Sequence, residues 1–255
     1  MKHIPRKRFG QNFLTDRSVL DDITQLISPH ADDVMVEIGP GLGAMTNLLL
    51  KSLKQLHVVE IDRDLVTRLQ KSFLTNKLII HQGDALEFDF AKIPLSTGRK
   101  LRIVGNLPYN ISTPLLFHLT QFVPLLEDQH FMLQKEVVER MVAEPGSKTY
   151  GRLSVMLQWR YDMHLMMIVP PTAFSPPPKV ESAIVRMVPV AQQLLCDAAR
   201  LELVVTKAFS QRRKVLRTCV AGMFTENDLI DVGIDPQARA ETVSLAQFVA
   251  LANRG

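Results

Sequence analysis

Cysteine is scarce in this sequence. The 255 residues include only Cys196 and Cys219, with no CxxC spacing and no histidine close to either one. Two such cysteines argue against a disulfide framework and against a zinc site. We therefore expect a cytoplasmic protein that holds no metal.

Long hydrophobic runs are also missing. A membrane-spanning helix needs about 18 or more consecutive apolar residues, and no run in the chain approaches that length. The N-terminus carries several basic residues, but no hydrophobic segment follows them. We therefore predict neither a transmembrane helix nor a signal peptide.

The composition that remains is that of a globular chain. Hydrophobic residues make up 46% of the sequence and charged residues 22%, which is enough for one large domain and one small domain. The formal net charge is +4. A mildly basic chain is compatible with a polyanionic partner, although the placement of the charges matters more than their sum.

Strand and helix patterns alternate between residues 34 and 142. Such alternation is typical of an α/β fold, with a parallel sheet covered on both faces. A helix precedes them, and Thr15 or Asp16 can cap it. The predicted strands are 34–38, 56–60, 78–81, 101–105 and 129–134, and the predicted helices are 44–53, 62–73, 112–122 and 135–142.

The pattern changes after this alternation. A further helix is predicted at 151–160, and two β-rich runs, 163–169 and 180–188, predict antiparallel edge strands. Beyond Pro189 the chain is rich in Leu, Ala and Arg with helical spacing. We therefore predict a first domain over residues 1–189 and a small helical domain over residues 190–255.

Three glycines follow the first strand of the predicted sheet. Gly39, Gly41 and Gly43 allow a sharp turn and bring backbone amides close to a ligand at the start of the next helix. The spacing from Gly39 to Ala44 also satisfies the dinucleotide-binding fingerprint. The glycine loop thus predicts a nucleotide-like cofactor but does not exclude a nicotinamide.

Three carboxylates lie in or near predicted strand ends. Glu60 ends the second strand, where it can accept hydrogen bonds from both hydroxyls of a ribose. Asp84 follows the third strand and either accepts a hydrogen bond from an adenine amino group or forms a turn. Glu37 lies inside an apolar strand and needs a partner. It either shapes the glycine loop, lies near the cationic part of a cofactor, or forms a salt bridge in the core.

The fourth predicted strand leads into Asn106-Leu107-Pro108-Tyr109, at the sheet edge where doubly wound folds bind ligands. The exocyclic nitrogen of adenine is a poor nucleophile because its lone pair is delocalised into the ring. The Asn106 side-chain oxygen and the Leu107 carbonyl can accept hydrogen bonds from both of its protons and direct that lone pair. Pro108 stiffens the backbone, and Tyr109 can stack on the base. The stretch therefore predicts methyl transfer to a planar amino group.

Several motifs resemble those of the ribosomal RNA adenine dimethyltransferases, specifically the bacterial small-subunit type. Together they are very specific, whereas the C-terminal end of the chain adds little. The motifs are Arg8-Phe9-Gly10-Gln11-Asn12-Phe13-Leu14, Glu37-Ile38-Gly39-Pro40-Gly41-Leu42-Gly43, Val59-Glu60-Ile61-Asp62, Gly83-Asp84-Ala85, Gly105-Asn106-Leu107-Pro108-Tyr109-Asn110-Ile111-Ser112, Phe174-Ser175-Pro176-Pro177-Pro178-Lys179-Val180-Glu181-Ser182 and Phe209-Ser210-Gln211-Arg212-Arg213-Lys214.

The resemblance implies S-adenosylmethionine as the methyl donor. It implies a Rossmann-like, seven-stranded class I methyltransferase sheet followed by a small all-α C-terminal domain. Asn12 and Leu14 would join the cofactor site on an arm, residues 1–14, that closes over the methionine end. The other cofactor positions fall on Gly39, Glu60, Asp84 and Asn106, with Gly41 beside them.

The resemblance also implies a substrate. Two adjacent adenosines in the hairpin near the 3′ end of 16S rRNA, within the small ribosomal subunit, would each receive two methyl groups. We expect a monomeric enzyme that contributes to small-subunit biogenesis.

Two basic clusters without acidic residues, the first near the N-terminus and the second near the C-terminus, predict contacts with RNA phosphates. If the second cluster is helical, Arg213 and Arg217 are neighbours on it. Phe174, in the proline-rich loop, is either a second stacking wall for the target base or a core residue. The basic clusters contain Arg6, Lys7 and Arg8 near the N-terminus and Arg212, Arg213, Lys214 and Arg217 near the C-terminus.

Alternative functions remain open. A nicotinamide dehydrogenase would use the glycine loop and Glu60 but would leave the stretch from Asn106 to Tyr109 without a role. A non-catalytic rRNA-binding assembly factor could share the fold, although the intact Glu60, Asp84 and Asn106 argue against it. A large-subunit rRNA methylase of the antibiotic-resistance type and an adenine DNA methylase would share the chemistry.

Overall fold

The computed structural model describes residues 12–254. Most of the predicted basic arm therefore lies outside the described residues. The chain divides into two compact units, with boundaries after Val138, Met163 and Pro189. The segment Glu139–Met163, which the sequence analysis assigns to the first domain, belongs to the second unit together with the chain that follows Pro189.

Strands and helices alternate as predicted through the first half of the chain. The strands are β1 (Phe13–Leu14), β2 (Val34–Ile38), β3 (Leu56–Glu60), β4 (Leu78–Gln82), β5 (Leu101–Asn106), β6 (Leu126–Gln134), β7 (Tyr161–Val169), β8 (Phe174–Ser175) and β9 (Ser182–Pro189). The helices are α1 (Arg17–Ile27), α2 (Ala44–Ser52), α3 (Arg63–Ser72), α4 (Ser112–Leu119), α5 (Lys135–Met141), α6 (Arg152–Gln158), α7 (Ala198–Ala208), α8 (Leu216–Cys219), α9 (Glu226–Asp231) and α10 (Leu245–Ala252).

Seven strands form one sheet in the order β4-β3-β2-β5-β6-β9-β7, which confirms the predicted seven-stranded α/β fold. The strands from β2 to β6 run parallel to one another. Strands β2, β3 and β5 are apolar runs with nearly every side chain buried, as expected where helices cover both faces of a parallel sheet. Their carboxyl ends meet at one edge, so the loops after Ile38, Glu60, Gln82 and Asn106 converge there.

Helix α1 shows how the local sequence directs the covering helices. The Asp16 carboxylate accepts a hydrogen bond from the Val19 N–H at 3.1 Å, so Asp16 rather than Thr15 is the N-cap. Leu20, Ile23 and Ile27 recur at helical spacing and are all buried in the core. Burial of each such side chain stabilises the fold by roughly 1.5–3 kcal/mol.

The antiparallel part of the sheet differs from the prediction in its placement. Strand β9 pairs antiparallel with β6, but it lies between β6 and β7. Of the two strands predicted to lie at the edge, β7 is therefore an edge strand and β9 is an interior strand. The run Ser182–Val185 is fully buried, whereas β7 alternates between buried and exposed positions near its start. An all-buried strand needs neighbours on both sides, and the half-exposed strand takes the edge.

A second, two-stranded sheet was not predicted. Strand β1 pairs antiparallel with β8, so that Leu14 lies opposite Phe174. The N–H groups of Thr15 and Asp16 extend the connection by donating to the Ala173 carbonyl at 2.9 and 3.1 Å. The segment before α1 is thereby fastened to the proline-rich loop.

The amino edge of the large sheet contains a buried ion network. The Arg102 guanidinium contacts the Asp128 carboxylate at 2.8 Å and the Asp33 carboxylate at 2.7 Å. It also donates to the carbonyls of Ile27 and Ser28 at 2.6 and 3.2 Å. Strands β5 and β6 are thus tied to the end of α1 at the edge opposite the convergent loops.

The second unit is helical apart from its share of β7. Its core consists of buried apolar residues on α7, α8 and α10, including Leu201, Leu216 and Phe248. The Trp159 indole N–H donates to the Leu194 carbonyl at 2.8 Å and fastens the segment before α7. Across residues 12–254, no helix combines the length and apolar character needed to cross a membrane.

Candidate active site

A cavity that is open to solvent lies at the carboxyl edge of the large sheet. Its wall comes from the loops after β2, β3, β4 and β5, and from the segment that leads into β1. Sequence-predicted site residues form much of this wall, and they are Asn12, Gly39, Gly41, Glu60, Asp84, Asn106, Leu107 and Tyr109. Residues far apart in sequence therefore meet at one site because the parallel strands end together.

A smaller cavity adjoins the first. It shares Phe13, Gly39, Pro40 and Asn106 with the open cavity. Leu14 lines only this inner cavity, together with apolar residues of α1. Leu14 is thus next to the main site and separated from it by the shared residues.

The glycine loop adopts the backbone that its residue types allow. Gly41 has a φ of +57°, and a Cβ added there would lie 3.1 Å from the Phe13 ring. Both the backbone angle and the space favour glycine at this position. Gly105 is a second constrained glycine, because a Cβ added there would lie 2.7 Å from the Ile38 carbonyl. This constraint was not predicted from the sequence. A glycine inside a strand is the signal for such a close approach.

Glu60 is held by backbone N–H groups at the floor of the cavity. Its Oε2 accepts from the Gly41 N–H at 3.3 Å, and its Oε1 accepts from the Asp62 N–H at 2.9 Å. Only 5% of the residue is exposed, and burial raises the pKa of this carboxyl, although the backbone donors oppose the shift. Each carboxylate oxygen has about two acceptor sites, so the group retains acceptor capacity for a ligand.

Glu37 has a hydroxyl rather than a cation as its partner. The Thr46 hydroxyl, in the first turn of α2, donates to Glu37 Oε2 at 2.6 Å. The residue is 1% exposed, and burial raises the pKa of its carboxyl to about 7, while the Thr46 hydrogen bond opposes the shift. Glu37 therefore joins β2 to α2 beneath the glycine loop, which supports the loop-shaping alternative over a core salt bridge.

Asp84 forms the turn that its position predicts. Its Oδ1 accepts from the Leu86 N–H at 2.9 Å, which is the hydrogen bond of an Asx turn. The residue also lines the cavity. One carboxylate oxygen thus shapes the turn after β4, and the carboxylate keeps acceptor capacity for a donor in the cavity.

The Asn106 amide has a defined orientation. Its Nδ2 donates to the Asn12 carbonyl at 3.1 Å. A carbonyl can only accept, so the amide nitrogen must face Asn12 and the side-chain oxygen must face away from it. The next peptide is fixed as well, because the Leu107 N–H donates to the Met132 carbonyl at 3.1 Å. The acceptor pair predicted for a target amine is therefore mounted on backbone that is held at both residues.

Tyr109 is half-buried in the cavity wall and is held at two points. The Ser112 hydroxyl donates to its carbonyl at 3.1 Å. Its phenol hydroxyl lies 2.9 Å from the Ser182 hydroxyl. Ser182 stands in one of the resembling motifs, but the sequence analysis gave it no role, because nothing in the chain order indicates that β9 passes beside the Asn106–Tyr109 loop.

Phe174 is not brought to the cavity. Only 4% of it is exposed, and it packs in the core with Leu14, Leu20 and Val169. It lines neither of the two cavities. Its pairing in the small sheet fixes it there, which supports the core alternative. A stacking role remains a prediction.

Some of the predicted basic residues lie outside the described residues, and the others do not line this cavity. Arg6, Lys7 and Arg8 precede residue 12. Arg213 and Lys214 are exposed on a turn between α7 and α8. Arg213 therefore does not lie on one helix with Arg217, and the expectation that the two are neighbours on a helix is wrong. The chain leaves helical geometry after Ala208. Two of the predicted basic residues are paired with acids, namely Arg212 with Glu241 at 3.6 Å and Arg217 with Glu226 at 2.6 Å.

The sequence profile of the ribosomal RNA adenine dimethylase family matches residues 2–254. The chain belongs to this family. The resemblance drawn from the motifs is confirmed, and family membership favours methyl transfer over hydride transfer for the glycine loop.

Relatives of this dimethylase cover its full length. The ribosomal RNA small subunit methyltransferase A of Janthinobacterium sp. (strain Marseille) is 72% identical over 254 residues, which is 100% of both chains. The crystal structure of a dimethyladenosine transferase from Plasmodium falciparum superposes with a TM-score of 0.82 at 26% identity, over 94% of this chain and 95% of that one. A 23S rRNA methyltransferase, ErmE, shares the fold with a TM-score of 0.74 at 24% identity, over 95% and 99% of the chains. The predicted class I methyltransferase sheet is thus confirmed.

Proposed function

We propose that this protein dimethylates the exocyclic amines of two adjacent adenosines in the hairpin near the 3′ end of 16S rRNA, as a step in small-subunit biogenesis. The observation that carries the proposal is the fixed Asn106 amide at the wall of the open cavity, next to Leu107 and Tyr109. The near-identical length and 72% identity of a relative named as a small subunit methyltransferase support the choice of RNA. No comparable observation favours the large subunit or DNA.

We assign S-adenosylmethionine to the cavity, where it supplies an electrophilic methyl group. Glu60 fits a ribose because its buried carboxylate keeps acceptor capacity toward the cavity, and charge-assisted hydrogen bonds are the stronger kind. Asp84 fits the amino group of the adenine, and the missing side chain at Gly41 leaves room for backbone to approach the ligand. The residues that would hold the cofactor are Asn12, Gly39, Gly41, Glu60, Asp84 and Asn106, and Leu14 would support them from the smaller cavity.

The chain's own groups then prepare the target nitrogen. Asn106 Oδ1 and the Leu107 carbonyl accept hydrogen bonds from its two protons, which favours a pyramidal nitrogen with a directed lone pair. Tyr109 stacks on the base, an interaction worth roughly 1–3 kcal/mol. The nitrogen is cationic once it carries the new methyl group, and it loses a proton readily to give the neutral amine, so the protein's main task is alignment.

RNA affinity comes from basic residues outside the cavity. Exposed Arg213 and Lys214 have no acidic partner within hydrogen-bond distance among residues 12–254, so they are available to RNA phosphates. Arg212 and Arg217 would exchange an acidic partner for a phosphate, and Arg6, Lys7 and Arg8 would extend the surface. A substrate within ribosomal subunits places the protein in the cytoplasm, and the helical unit acts as its RNA-binding accessory domain.

Label transfer to under-methylated small subunits tests the proposal. Purified protein with S-adenosylmethionine labelled in its methyl group should modify two adjacent adenosines, and mapping of the methylated positions should place both in one hairpin of 16S rRNA. Asn106→Ala should lower the rate by about 10²–10³, the range seen when one stabilising hydrogen-bond group is removed.

Two results would contradict the proposal in different ways. Labelling of large-subunit RNA alone would move the substrate to the antibiotic-resistance type. Tight binding to small subunits without any label transfer would indicate an assembly factor that does not catalyse.

The matched control for Asn106→Ala is Asn76, an exposed asparagine of the same unit. Asn76→Ala should keep the full rate.

A further inference from the structure

Ser182 occupies a rigid and fully buried position. It is the first residue of β9 and lies directly opposite Gln134, the last residue of β6. The Lys135 N–H donates to the Glu181 carbonyl at 3.0 Å, which continues the ladder one step past the strand. The residue is 0% exposed, so its hydroxyl has no access to solvent and needs a protein partner.

That partner is the phenol of Tyr109, at 2.9 Å. The Tyr109 carbonyl is held separately by the Ser112 hydroxyl. A ring held at its backbone and at its far end cannot swing about its side-chain torsions without breaking a hydrogen bond. Ser182 thus connects the loop after β5 to an interior strand of the sheet.

We propose that Ser182 is a positioning residue for methyl transfer, which fixes the plane of the Tyr109 ring against which the target base is placed. The proposal rests on the proposed function, because it needs Tyr109 to receive a base. Methyl transfer depends on the alignment of nitrogen, methyl group and leaving group, and small misplacements are costly in such reactions. A ring free to tilt would still bind the base but would present its nitrogen less often in line.

The position of the ring can be tested without any activity. The chain contains three tyrosines, so a sample with ¹³C-labelled tyrosine rings gives few signals, and the signal missing in Tyr109→Phe identifies Tyr109. In Ser182→Ala this signal should shift or broaden as the ring gains mobility. Ser154→Ala is the matched control, because Ser154 is also a fully buried serine with a hydrogen-bonded hydroxyl. It should leave the Tyr109 signal unchanged.

The kinetic test compares Ser182→Ala, Tyr109→Phe and the double variant on small subunits. Tyr109→Phe keeps the ring but loses the hydroxyl. Each single variant should lower kcat by about tenfold, the equivalent of one neutral hydrogen bond, with little change in KM for the subunit or in cofactor affinity. The double variant should be no slower than either single one, because both remove the same interaction. Ser182→Thr keeps a hydroxyl and should recover most of the rate.

The possible failures are distinguishable. An unchanged Tyr109 signal in Ser182→Ala overturns the positioning role whether or not the wild-type protein methylates rRNA. Multiplicative losses in the double variant would show that Ser182 and Tyr109 act independently, which contradicts the positioning role. A loss of folding stability in Ser182→Ala that is large enough to account for the lower kcat would show that Ser182 only stabilises the sheet. A wild-type protein with no activity on any RNA would instead refute the proposed function.

Discussion

Buried charged side chains at the two edges of the large sheet differ in their hydrogen-bond partners. At the amino edge, the Arg102 guanidinium faces two carboxylates and two carbonyls, and little hydrogen-bonding capacity remains. At the carboxyl edge, Glu60 is equally buried, but it is held by two backbone N–H groups and faces a cavity. The first arrangement ties strands together, and the second keeps acceptors available for a ligand. Buried carboxylates therefore stabilise the fold at the amino edge and are available to a ligand at the carboxyl edge.

The largest effect is expected from breaking the amino edge. Arg102→Ala leaves the carboxylates of Asp128 and Asp33 buried without their cation, which should lower the free energy of unfolding by roughly 3–5 kcal/mol. Chemical denaturation followed by circular dichroism measures the loss. Lys54→Ala removes an exposed ion pair with Asp32 and should cost at most about 1 kcal/mol. Equal losses in the two variants would show that the buried network has no special role.

The corresponding change at the carboxyl edge should affect binding rather than folding. Glu60→Gln removes the charge that strengthens the hydrogen bonds to a ribose. Hydrogen bonds to charged groups contribute about 1.5–3 kcal/mol, so the Kd for S-adenosylmethionine should rise by about tenfold to a hundredfold. Titration calorimetry gives the value. The exposed Glu87 supplies the control, and an equal loss of affinity in Glu87→Gln would mean that only the overall charge matters.

Substitution of glycines separates backbone strain from site geometry. Gly41→Ala and Gly98→Ala both force alanine into a left-handed backbone, and each should cost roughly 1–2 kcal/mol of stability. The added Cβ at Gly41 also meets the Phe13 ring at 3.1 Å, whereas Gly98 has open space around it. Only Gly41→Ala should therefore weaken cofactor binding. If Gly98→Ala weakened binding to the same extent, the effect would have to be attributed to general destabilisation.

The remaining effect depends on pH and concerns Glu37. Its pKa is raised to about 7 in the folded protein, against about 4.3 for an unperturbed glutamate. The folded state therefore holds the proton more tightly, and this stabilising contribution is fully present below about pH 4 and is lost as the pH rises through 7. Glu37→Gln cannot titrate, so its stability relative to the wild type should increase between pH 5 and 8, by at most about 1.4 kcal/mol per pH unit.

Denaturation at several pH values measures this difference. Comparison with the variant cancels the histidines, whose titration also changes with folding. A constant difference between Glu37→Gln and the wild type across this range would contradict the raised pKa.

Much of the fold follows from local patterns. Strands β2, β3 and β5 appear at their predicted positions because apolar runs bounded by turns leave few other solutions. The glycine loop and the acid at the end of β3 are also local features, and their meeting follows from the parallel order of the strands. Errors arise where long-range pairing decides. The insertion of β9 between β6 and β7 and the pairing of β1 with β8 depend on contacts between segments far apart in sequence.

The amino-acid sequence by itself determined the family, the α/β order and the set of residues that meet at the carboxyl edge. Those properties reside in short motifs whose local geometry and chemistry are set by neighbouring residues. Only the tertiary structure decided that Phe174 packs in the core, that Thr46 is the partner of Glu37, and that Ser182 holds Tyr109. Each of these depends on which side chain approaches which in space, and the spacing of residues along the chain carries no information about that.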